Sequence, residues 1–448
     1  MNLQTLRKKI SKGEIDSVLV VFPDAWGRLV GKRATGRFFL DHVLNQGTHA
    51  CDYLLVTNME LDPVDGFRLA NWDKGFGDNL LTPDISSLRA APWQTATAMV
   101  FCDVHHHDGS LVEEAPRTVL RRQVDALAKR GLTCFIASEL EFFLFNNTYH
   151  EASESRYERL VPSSDYRIDY QTLAPARDET VLRALRNHLD AAGVPVETTK
   201  GEWGKGQHEI NLEYDQPLPM ADRHLLCKQA AKEIAAANGR AVTFMPKFSA
   251  AEAGNSCHIH ASLWQRGRNI FWDARKREGS RVFRQFLGGL MKYTPELCCL
   301  MAPSVNAYKR YQPMSWAPTK MVWAFDNRTA GFRVVGEKNS FRIENRMPGA
   351  DANPYLAYAA TIAAGMAGVA ERCDCGPVYE GNAYTDSRLP ALPHSLSEAA
   401  DLLDRSKLAR KAFGNDVVEF YVHTARSEAR AFGEAVTDWE RVRYFERI

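Results

Sequence analysis

Four short segments of the chain place ionisable side chains at every second residue. Side chains two apart on a β-strand point to the same face of the sheet. The segments are ASELEFFLF (137–145), GQHEINLEY (206–214), CHIHASLW (257–264) and FRIENRM (341–347). The aligned residues are Glu139 and Glu141; Glu209, Asn211 and Glu213; His258, His260 and Ser262; and Arg342, Glu344 and Arg346. If the four strands share one sheet, these groups gather on one face.

A single strand of this kind is typical of a half-exposed sheet with a solvated polar face. Four such strands side by side would crowd glutamates that repel one another strongly unless a cation neutralises them. Glu202 lies seven residues before Glu209, across the glycine-rich turn KGEWGKGQ. Carboxylate oxygens with an occasional imidazole suit Mg²⁺ or Mn²⁺ rather than a structural zinc ion. The pattern therefore predicts a divalent-metal site.

Cationic residues in two further segments indicate phosphoryl transfer. NAYKRY (306–311) and DNRTAGFR (326–333) supply Lys309, Arg310, Arg328 and Arg333. Beside a carboxylate–metal cluster, such groups stabilise the charge on a phosphoryl group during its transfer. Neither phosphate-binding glycine motif is present, since Gln207 follows Gly206 where a P-loop has lysine, and no G-x-G-x-x-G follows a strand. A nucleotide would have to be held by metals and arginines.

The composition is that of an ordinary globular chain. Its 448 residues are 45% hydrophobic and 25% charged, and Lys+Arg 56 against Asp+Glu 55 leaves a formal net charge of +1. This balance excludes a protein that holds nucleic acid or an anionic membrane by bulk charge. Nine scattered cysteines predict reduced thiols and a cytoplasmic location. No apolar run has the length of a signal peptide or a membrane span, so we expect neither.

The elements that must position these residues fall into two parts. Strands are predicted over 15–22, 29–35 and 95–104, which form a small, mostly β unit. The polar stretch HHHDGSLVEEAPR (105–117) separates it from a larger part in which strands alternate with helices. Helices are predicted over 117–130, 179–192, 222–238, 281–297 and 355–371. The predicted domains are therefore 1–108 and 109–448, with an α+β fold.

The ordered motifs resemble those of the glutamine synthetase family. They are TPDISSLR, SELEFFLF, GEWGKGQHEIN, TFMPKF, HIHASL, NAYKR, NRTAGFR and RIENRMPGADANPYLA. The resemblance implies an N-terminal β-grasp domain and a C-terminal catalytic domain, related to guanido kinases, with a curved antiparallel sheet. It also implies a homododecamer of stacked hexameric rings with active sites at subunit interfaces. The implied reaction is an ATP-dependent ligation in which glutamate becomes a γ-glutamyl phosphate and an amine displaces the phosphate.

The resemblance also assigns roles to individual residues. Two or three Mg²⁺ or Mn²⁺ ions are implied, one held by Glu141, Glu202 and Glu209, and a second by Glu139, His258 and Glu344. Glutamate would be held by Gly254, Arg310 and Arg346. Arg328 would face the transferred phosphoryl group and Arg333 the nucleotide. The ATP pocket would be lined by Glu197, His260 and Ser262.

The chain departs from the ammonia-using members of the family at three places. Those members carry a glutamate six residues after the arginine of N-S-Y-K-R, where this chain has Trp316. Their Asp-Gly-Ser-Ser loop has no counterpart in NMELDPVDGFRLANW (58–72), and the asparagine of N-G-S-G-M-H is replaced by Ala253. Losing two carboxylates removes a reason to prefer ammonium, and an indole face can lie against an alkyl chain or an ammonium head. These changes resemble the γ-glutamylamide branch, including the γ-glutamylethanolamide and γ-glutamylpolyamine synthetases.

The predicted function is therefore ligation of glutamate to an amine other than ammonia, such as ethanolamine, an alkylamine or a polyamine. One alternative is glutamine synthetase itself, with Trp316 as a packing residue. Another is a non-catalytic structural or sensory member of the fold, and a third is a guanidino kinase. The general base stays open between Glu202, Asp62, Asp65 and a residue of a neighbouring subunit.

Overall fold

A computed structural model describes residues 1–448, and its first sheet lies entirely before residue 106. The elements of this N-terminal part are α1 (Leu3–Ser11), β1 (Ser17–Pro23), β2 (Leu29–Thr35), α2 (Gly36–Phe38), α3 (Leu44–Gln46), β3 (Thr48–Cys51), β4 (Asp78–Pro83), β5 (Arg89–Ala90) and β6 (Thr97–His105). The six strands form a mixed sheet in the order β2-β1-β6-β4-β3, with β5 also paired to β6. Strands β1 and β6 run parallel at its centre.

The second part of the chain carries a larger sheet and most of the helices. Its first elements are α4 (Pro116–Ala128), β7 (Thr133–Phe145), α5 (Tyr149–Glu154), α6 (Leu173–Arg177), α7 (Glu179–Ala191), β8 (Val196–Gly201), β9 (Gln207–Leu212), α8 (Pro217–Ala237) and β10 (Ala241–Thr243). They are followed by β11 (Cys257–Gln265), β12 (Arg268–Asn269), β13 (Trp272–Asp273), β14 (Glu278–Gly279), α9 (Arg281–Leu297), β15 (Trp323–Phe325), β16 (Phe332–Val335) and β17 (Arg342–Asn345). The chain ends with α10 (Pro354–Glu371), α11 (Leu396–Arg405), α12 (Lys407–Phe413), α13 (Asn415–Glu434) and α14 (Asp438–Tyr444).

The large sheet has nine strands, and all four charged segments lie in it. Its order is β15-β16-β17-β11-β7-β9-β8, with β10 and β12 paired at the sides. Neighbours are antiparallel except for the parallel pair β15 and β16. The predicted α+β fold is confirmed. One detail of the strand prediction is wrong: β9 ends at Leu212, so Glu213 is exposed and does not share a face with Glu209.

Helix α10 packs against both α9 and α8, and it is buried along most of its length because it is apolar on all sides. A Cβ added at Gly289 of α9 would lie 2.2 Å from the Ala364 carbonyl oxygen of α10, so only glycine permits this approach. The five predicted helices are all present, and most of their ends lie within two residues of the prediction. The largest difference is at the start of α8, which begins at Pro217 and not at residue 222. No helix is long and apolar enough to cross a membrane.

A buried arginine at the start of α4 joins the N-terminal sheet to helix α8 of the second part. The Arg117 side chain is 2% exposed, and its guanidinium pairs with Asp103 of β6, with Asp84 after β4 and with Asp222 of α8. Tyr355 of α10 donates a further hydrogen bond of 2.5 Å to Asp222. One apolar core also runs through both parts of the chain. We propose 1–108 and 109–448 as the two domains, packed against each other through this network.

Candidate active site

The register of the large sheet places the charged side chains in cross-strand pairs. Glu139 of β7 lies opposite His258 of β11, and Glu141 lies opposite Glu209 of β9. The pairing continues outward, with Lys200 opposite Glu209, and His260 and Arg333 both opposite Glu344. Directly opposed residues in an antiparallel pair have Cβ atoms about 5 Å apart. Strand pairing therefore brings the charged side chains of the four segments together on one surface of the sheet.

Three carboxylates form a first cluster at this surface. One oxygen from each of Glu141, Glu202 and Glu209 lies within 4.8 Å of the others. Glu141 is fixed in place by Ser256, whose backbone N–H and hydroxyl donate hydrogen bonds of 2.7 and 2.5 Å to its two oxygens. Asn211 donates to Glu209 over 2.9 Å. The three carboxylates predicted to share a metal therefore do lie together.

The three carboxylates of the first cluster repel one another when no metal ion lies between them. Burial, with the neighbouring charges of Glu139 and Glu202, raises the pKa of Glu209 to about 9. Burial and the charge of Glu202 also raise the pKa of Glu141. A divalent cation would reverse both effects because it favours the ionised carboxylates. An all-oxygen donor set of this kind fits Mg²⁺ or Mn²⁺.

Lys200 extends its ammonium group into the first cluster. Its Nζ contacts Glu202 Oε1 directly and lies 3.9 Å from both Glu209 Oε2 and Asp169 Oδ1. The same ammonium lies 4.6 Å from the centre of the Tyr170 ring. Lys200 could not be recognised as a site residue from the sequence, because no spacing rule links it to the glutamates; only its pairing with Glu209 on the adjacent strand does.

A second cluster lies beside the first on strands β7, β11 and β17. Ligand atoms of Glu139, His260 and Glu344 lie within 4.8 Å of one another. His258 is equally close, with Nδ1 3.0 Å from Glu139 Oε2 and 3.4 Å from Glu344 Oε1. Burial opposes ionisation of Glu139, but the two histidines outweigh it and hold the Glu139 pKa well below its usual range. Both predicted carboxylates are present, together with two imidazoles instead of one.

The hydrogen bonds of His260 distinguish it from His258. Arg342 Nε donates to His260 Nδ1 over 3.0 Å, and an arginine has no acceptor to offer in return. His260 Nε2 must then carry the proton that it donates to Glu139 Oε1 over 2.7 Å. A protonated nitrogen has no lone pair for a metal. The geometry thus favours His258 as the metal ligand and His260 as a residue that orients Glu139.

Two of the predicted arginines are buried beside the clusters. Arg310 is 2% and Arg346 5% exposed, and the Nε of each lacks a hydrogen-bond partner. Their remaining nitrogens make some hydrogen bonds: Arg310 donates to the Met347 carbonyl oxygen, and Arg346 donates to Glu344 over 2.5 Å. Buried guanidinium groups with unused donors are suited to bind a carboxylate ligand.

The other two arginines lie at the rim of the site. Arg333 donates to Glu344 Oε2 over 2.9 Å and to Asp326 over 3.0 Å. Burial raises the pKa of Glu344, but the nearby Arg346 and histidines outweigh it and lower that pKa to about 2. Arg328 makes no ion pair and is exposed. Lys309, grouped with these arginines from its sequence motif, lies outside the cavity that they line.

The clusters and arginines line one cavity of about 560 Å³. Gly254 lies on its wall, where a Cβ would be 2.5 Å from Arg310 Cγ, so glycine is required for this packing. Trp316 lies on another wall with 46% of its surface exposed, and its ring contacts Trp203 edge to face at 5.6 Å. Asp169, in the loop before α6, also lines the cavity. It was not predicted, because only the tertiary fold brings its loop to the site.

A second, smaller cavity of about 230 Å³ lies on the other side of Glu139. It is lined by the three residues predicted for the nucleotide, namely Glu197, His260 and Ser262. The same cavity is also lined by three aromatic residues that were not predicted to belong to the site, Phe135, Tyr214 and Trp264. Flat apolar walls next to a metal cluster can receive a nucleobase. Asp62 and Asp65, suggested as general bases, line neither cavity.

The chain is similar to known proteins over nearly its whole length. Residues 113–444 match the family described as "Glutamine synthetase, catalytic domain". The chain is 46% identical to a γ-glutamylethanolamide synthetase of Streptomyces coelicolor over 100% of this chain and 96% of that protein. It is 35% identical to a glutamate–isopropylamine ligase of a Pseudomonas species, over 99% of this chain and 98% of that one. A solved structure described as a GmaS/ADP complex superposes with a TM-score of 0.85 at 26% identity, covering 98% of this chain and 99% of that chain.

Proposed function

This chain belongs to the glutamine synthetase family, as its motifs predicted, and is an ATP-dependent ligase; we propose that it joins the γ-carboxylate of glutamate to an amine other than ammonia. The relatives named for ethanolamide and isopropylamine products align with almost the whole chain. We propose that this protein, like these relatives, uses an alkyl or hydroxyalkyl amine as the acceptor of the γ-glutamyl group.

The observation that carries the proposal is the wall formed by Trp316 and Trp203. The family resemblance implies a carboxylate at position 316 in members that use ammonia, whereas here an indole faces the cavity. An indole offers apolar surface to an alkyl group and its π face to an ammonium group. Ammonia has no alkyl group with which to exploit such a wall, so the wall favours a larger amine.

We assign the two clusters to divalent metals and the smaller cavity to ATP. Glu141, Glu202 and Glu209 would hold one Mg²⁺ or Mn²⁺, and the second would be held by Glu139, His258 and Glu344. When bound, these metals neutralise the phosphate oxygens of ATP and draw charge from the phosphoryl group that is transferred. Glu197, His260 and Ser262 would position the nucleoside end of ATP. Both clusters being intact argues against a non-catalytic member of the fold.

The arginines divide the anionic groups among themselves. Arg310 and Arg346, with Gly254, would hold the carboxylates of glutamate in the buried half of the cavity. Arg328 would lie beside the transferred phosphoryl group and Arg333 beside the nucleotide. Positioned guanidinium groups stabilise charge that develops during transfer and do so most strongly away from water.

The reaction then proceeds in two steps. A γ-carboxylate oxygen of glutamate bonds to the terminal phosphorus of ATP, ADP leaves, and an acyl phosphate forms. The amine nitrogen bonds to the acyl carbon, and the C–O bond to phosphate breaks. An ammonium ion has to lose a proton before it attacks, and Asp169 is the cavity carboxylate that belongs to neither cluster. Burial and the charge of Glu202 raise the Asp169 pKa, which suits a proton acceptor. Glu202, nearby, is the other candidate.

We further propose that the protein is cytoplasmic and assembles as stacked hexameric rings. The family resemblance supports the rings, and the nine free cysteines, seven of them buried, support a reducing compartment. Light scattering after size-exclusion chromatography would measure the assembly. A monomer that retains full activity would contradict sites at subunit interfaces.

The test is an amine panel. ADP release and amide mass would be measured with glutamate, ATP, Mg²⁺ and either ethanolamine, isopropylamine or ammonium. We expect the highest kcat/KM for one of the two alkylamines. Ammonium giving the highest value would instead identify a glutamine synthetase. The variant Glu141→Gln controls for contaminating ATPases, because it should lose turnover with every amine.

A further inference from the structure

A second large cavity adjoins the active site behind the two tryptophans. This outer cavity, of about 820 Å³, is bounded by the segments 245–253 and 312–316 and by Arg167, Trp203, Asn306 and Lys309. It shares Trp203, Ala253, Ser315 and Trp316 with the active-site cavity. A molecule that reaches the acyl carbon past Trp316 therefore has room to extend into the outer cavity.

The outer cavity is positively charged. Its ionisable residues are three cations, Arg167, Lys247 and Lys309, and one carboxylate, Glu252. None of the three cations forms an ion pair. Arg167 lies over the Trp203 ring at 4.3 Å, Lys309 lies over the Phe432 ring at 4.9 Å, and Lys247 donates to the Glu252 carbonyl oxygen. Their charge is therefore not cancelled by carboxylate partners.

The remaining walls of the outer cavity are largely apolar. Met245, Met314 and Trp316 expose 44%, 73% and 46% of their surfaces, and Phe248 lines the same space. The active-site cavity differs in that its wall carries six carboxylates together with five cationic side chains. The outer cavity thus offers apolar surface to an uncharged group, while its excess of cations would repel an ammonium group.

Resting on the proposed function, we propose that the outer cavity receives the tail of the amine and that the acceptor is a short primary monoamine with an uncharged tail. An alkyl or hydroxyalkyl tail can lie against the methionine and tryptophan side chains at no electrostatic cost. A diamine or polyamine would place its second ammonium group in a cavity with three cations and one carboxylate, where the net charge is positive. This selects against the polyamines among the acceptors that the sequence leaves open.

The experiment compares pentylamine with putrescine, which have the same number of non-hydrogen atoms and differ in whether the far end is a methyl or an ammonium group. With glutamate, ATP and Mg²⁺, kcat/KM should be at least about fivefold higher for pentylamine, because two net charges at about 8 Å through water repel by roughly 1 kcal/mol. Raising the salt concentration should narrow this difference. Equal values, or a higher value for putrescine, would overturn the inference.

A charge reversal locates the effect in the outer cavity. Lys309→Glu should raise kcat/KM for putrescine relative to pentylamine by about fivefold, since it changes the local charge by two units. Lys276→Glu makes the same change on an exposed turn away from both cavities and should leave the ratio unaltered. Identical ratios in the two variants would overturn the inference. If no amine gives an amide, the proposed function itself fails, and the inference with it.

Discussion

Replacing Lys200 by methionine should strengthen metal binding at the first cluster. The Lys200 ammonium contacts Glu202 and lies 3.9 Å from Glu209, two of the three carboxylates assigned to that metal. A divalent cation bound there would be repelled by the ammonium, which has to move away. Methionine keeps the length and the apolar part of the side chain and removes the charge that competes.

The size of the effect follows from the distances. Unit charges about 4 Å apart attract by about 4 kcal/mol at an effective dielectric constant of 20. The Lys200 and Glu202 side chains are 21% and 16% exposed, so water screens part of this attraction. When the metal displaces the Lys200 ammonium, that group can still contact Asp169 and water, which recovers a further part of the lost attraction. A net cost of about 1.4 kcal/mol for displacing the ammonium corresponds to a tenfold weaker apparent affinity.

Isothermal titration with Mn²⁺ in the absence of nucleotide would measure the affinity directly. Lys200→Met should bind Mn²⁺ about tenfold more tightly than the unaltered protein. Lys205→Met is the matched control, because its side chain is exposed and lines neither the cluster nor the cavity. Unchanged or weaker binding by Lys200→Met would refute the reasoning that its ammonium and the metal share one place.

Four further predictions concern other parts of the molecule. The pKa of Glu209 is about 9 in the fold against an ordinary 4.5, so its protonation stabilises the metal-free fold fully below about pH 4.5, and this stabilisation is lost as the pH rises through about 9. The melting temperature should therefore fall between about pH 4.5 and 9, and it should fall less in Glu209→Gln. Arg117→Met should cost about 3–5 kcal/mol of stability in denaturant unfolding because it leaves Asp222 buried and unpaired, whereas Arg122→Met, which breaks an exposed pair on the same helix, should cost less than about 1 kcal/mol. Trp316→Ala should raise KM for alkylamines about tenfold while KM for ATP stays within about twofold, since it removes roughly 1–2 kcal/mol of apolar contact; equal changes for both substrates would contradict its place at the amine. Asp169→Asn should lower kcat with alkylamines about a hundredfold at neutral pH, and less at alkaline pH, where the free amine needs no base; a loss independent of pH would contradict that role.

The two clusters were largely predictable from the sequence because their residues lie at every second position of strands. Strand alternation is a local rule, so Glu139 and Glu141 could be placed on one face of their strand, and His258 on the same face as His260, before any pairing was known. The prediction fails at Glu213 because the strand ends one residue earlier, where the chain turns toward α8. A polar residue at the end of an alternating run does not show whether the strand includes it or has already ended.

Residues brought to the site by tertiary contacts could not be predicted. Asp169 lies in a loop, and nothing in the local sequence fixes where that loop packs. Lys200 lies on β8 just before the glycine-rich turn, and its position opposite Glu209 depends on the antiparallel register of β8 and β9. The resemblance assigned His258 to the metal and His260 to the ATP pocket, but the physical reason for this division is the hydrogen bond from Arg342 to His260, which connects two strands far apart in the chain.

The central claim is that the six groups on this sheet hold two divalent ions. The most direct measurement is an anomalous difference map from crystals of the protein grown with Mn²⁺ and a non-hydrolysable ATP analogue. The account predicts one peak among Glu141, Glu202 and Glu209 and a second among Glu139, His258 and Glu344. A map without peaks at these carboxylates, with the nucleotide bound elsewhere, would contradict it.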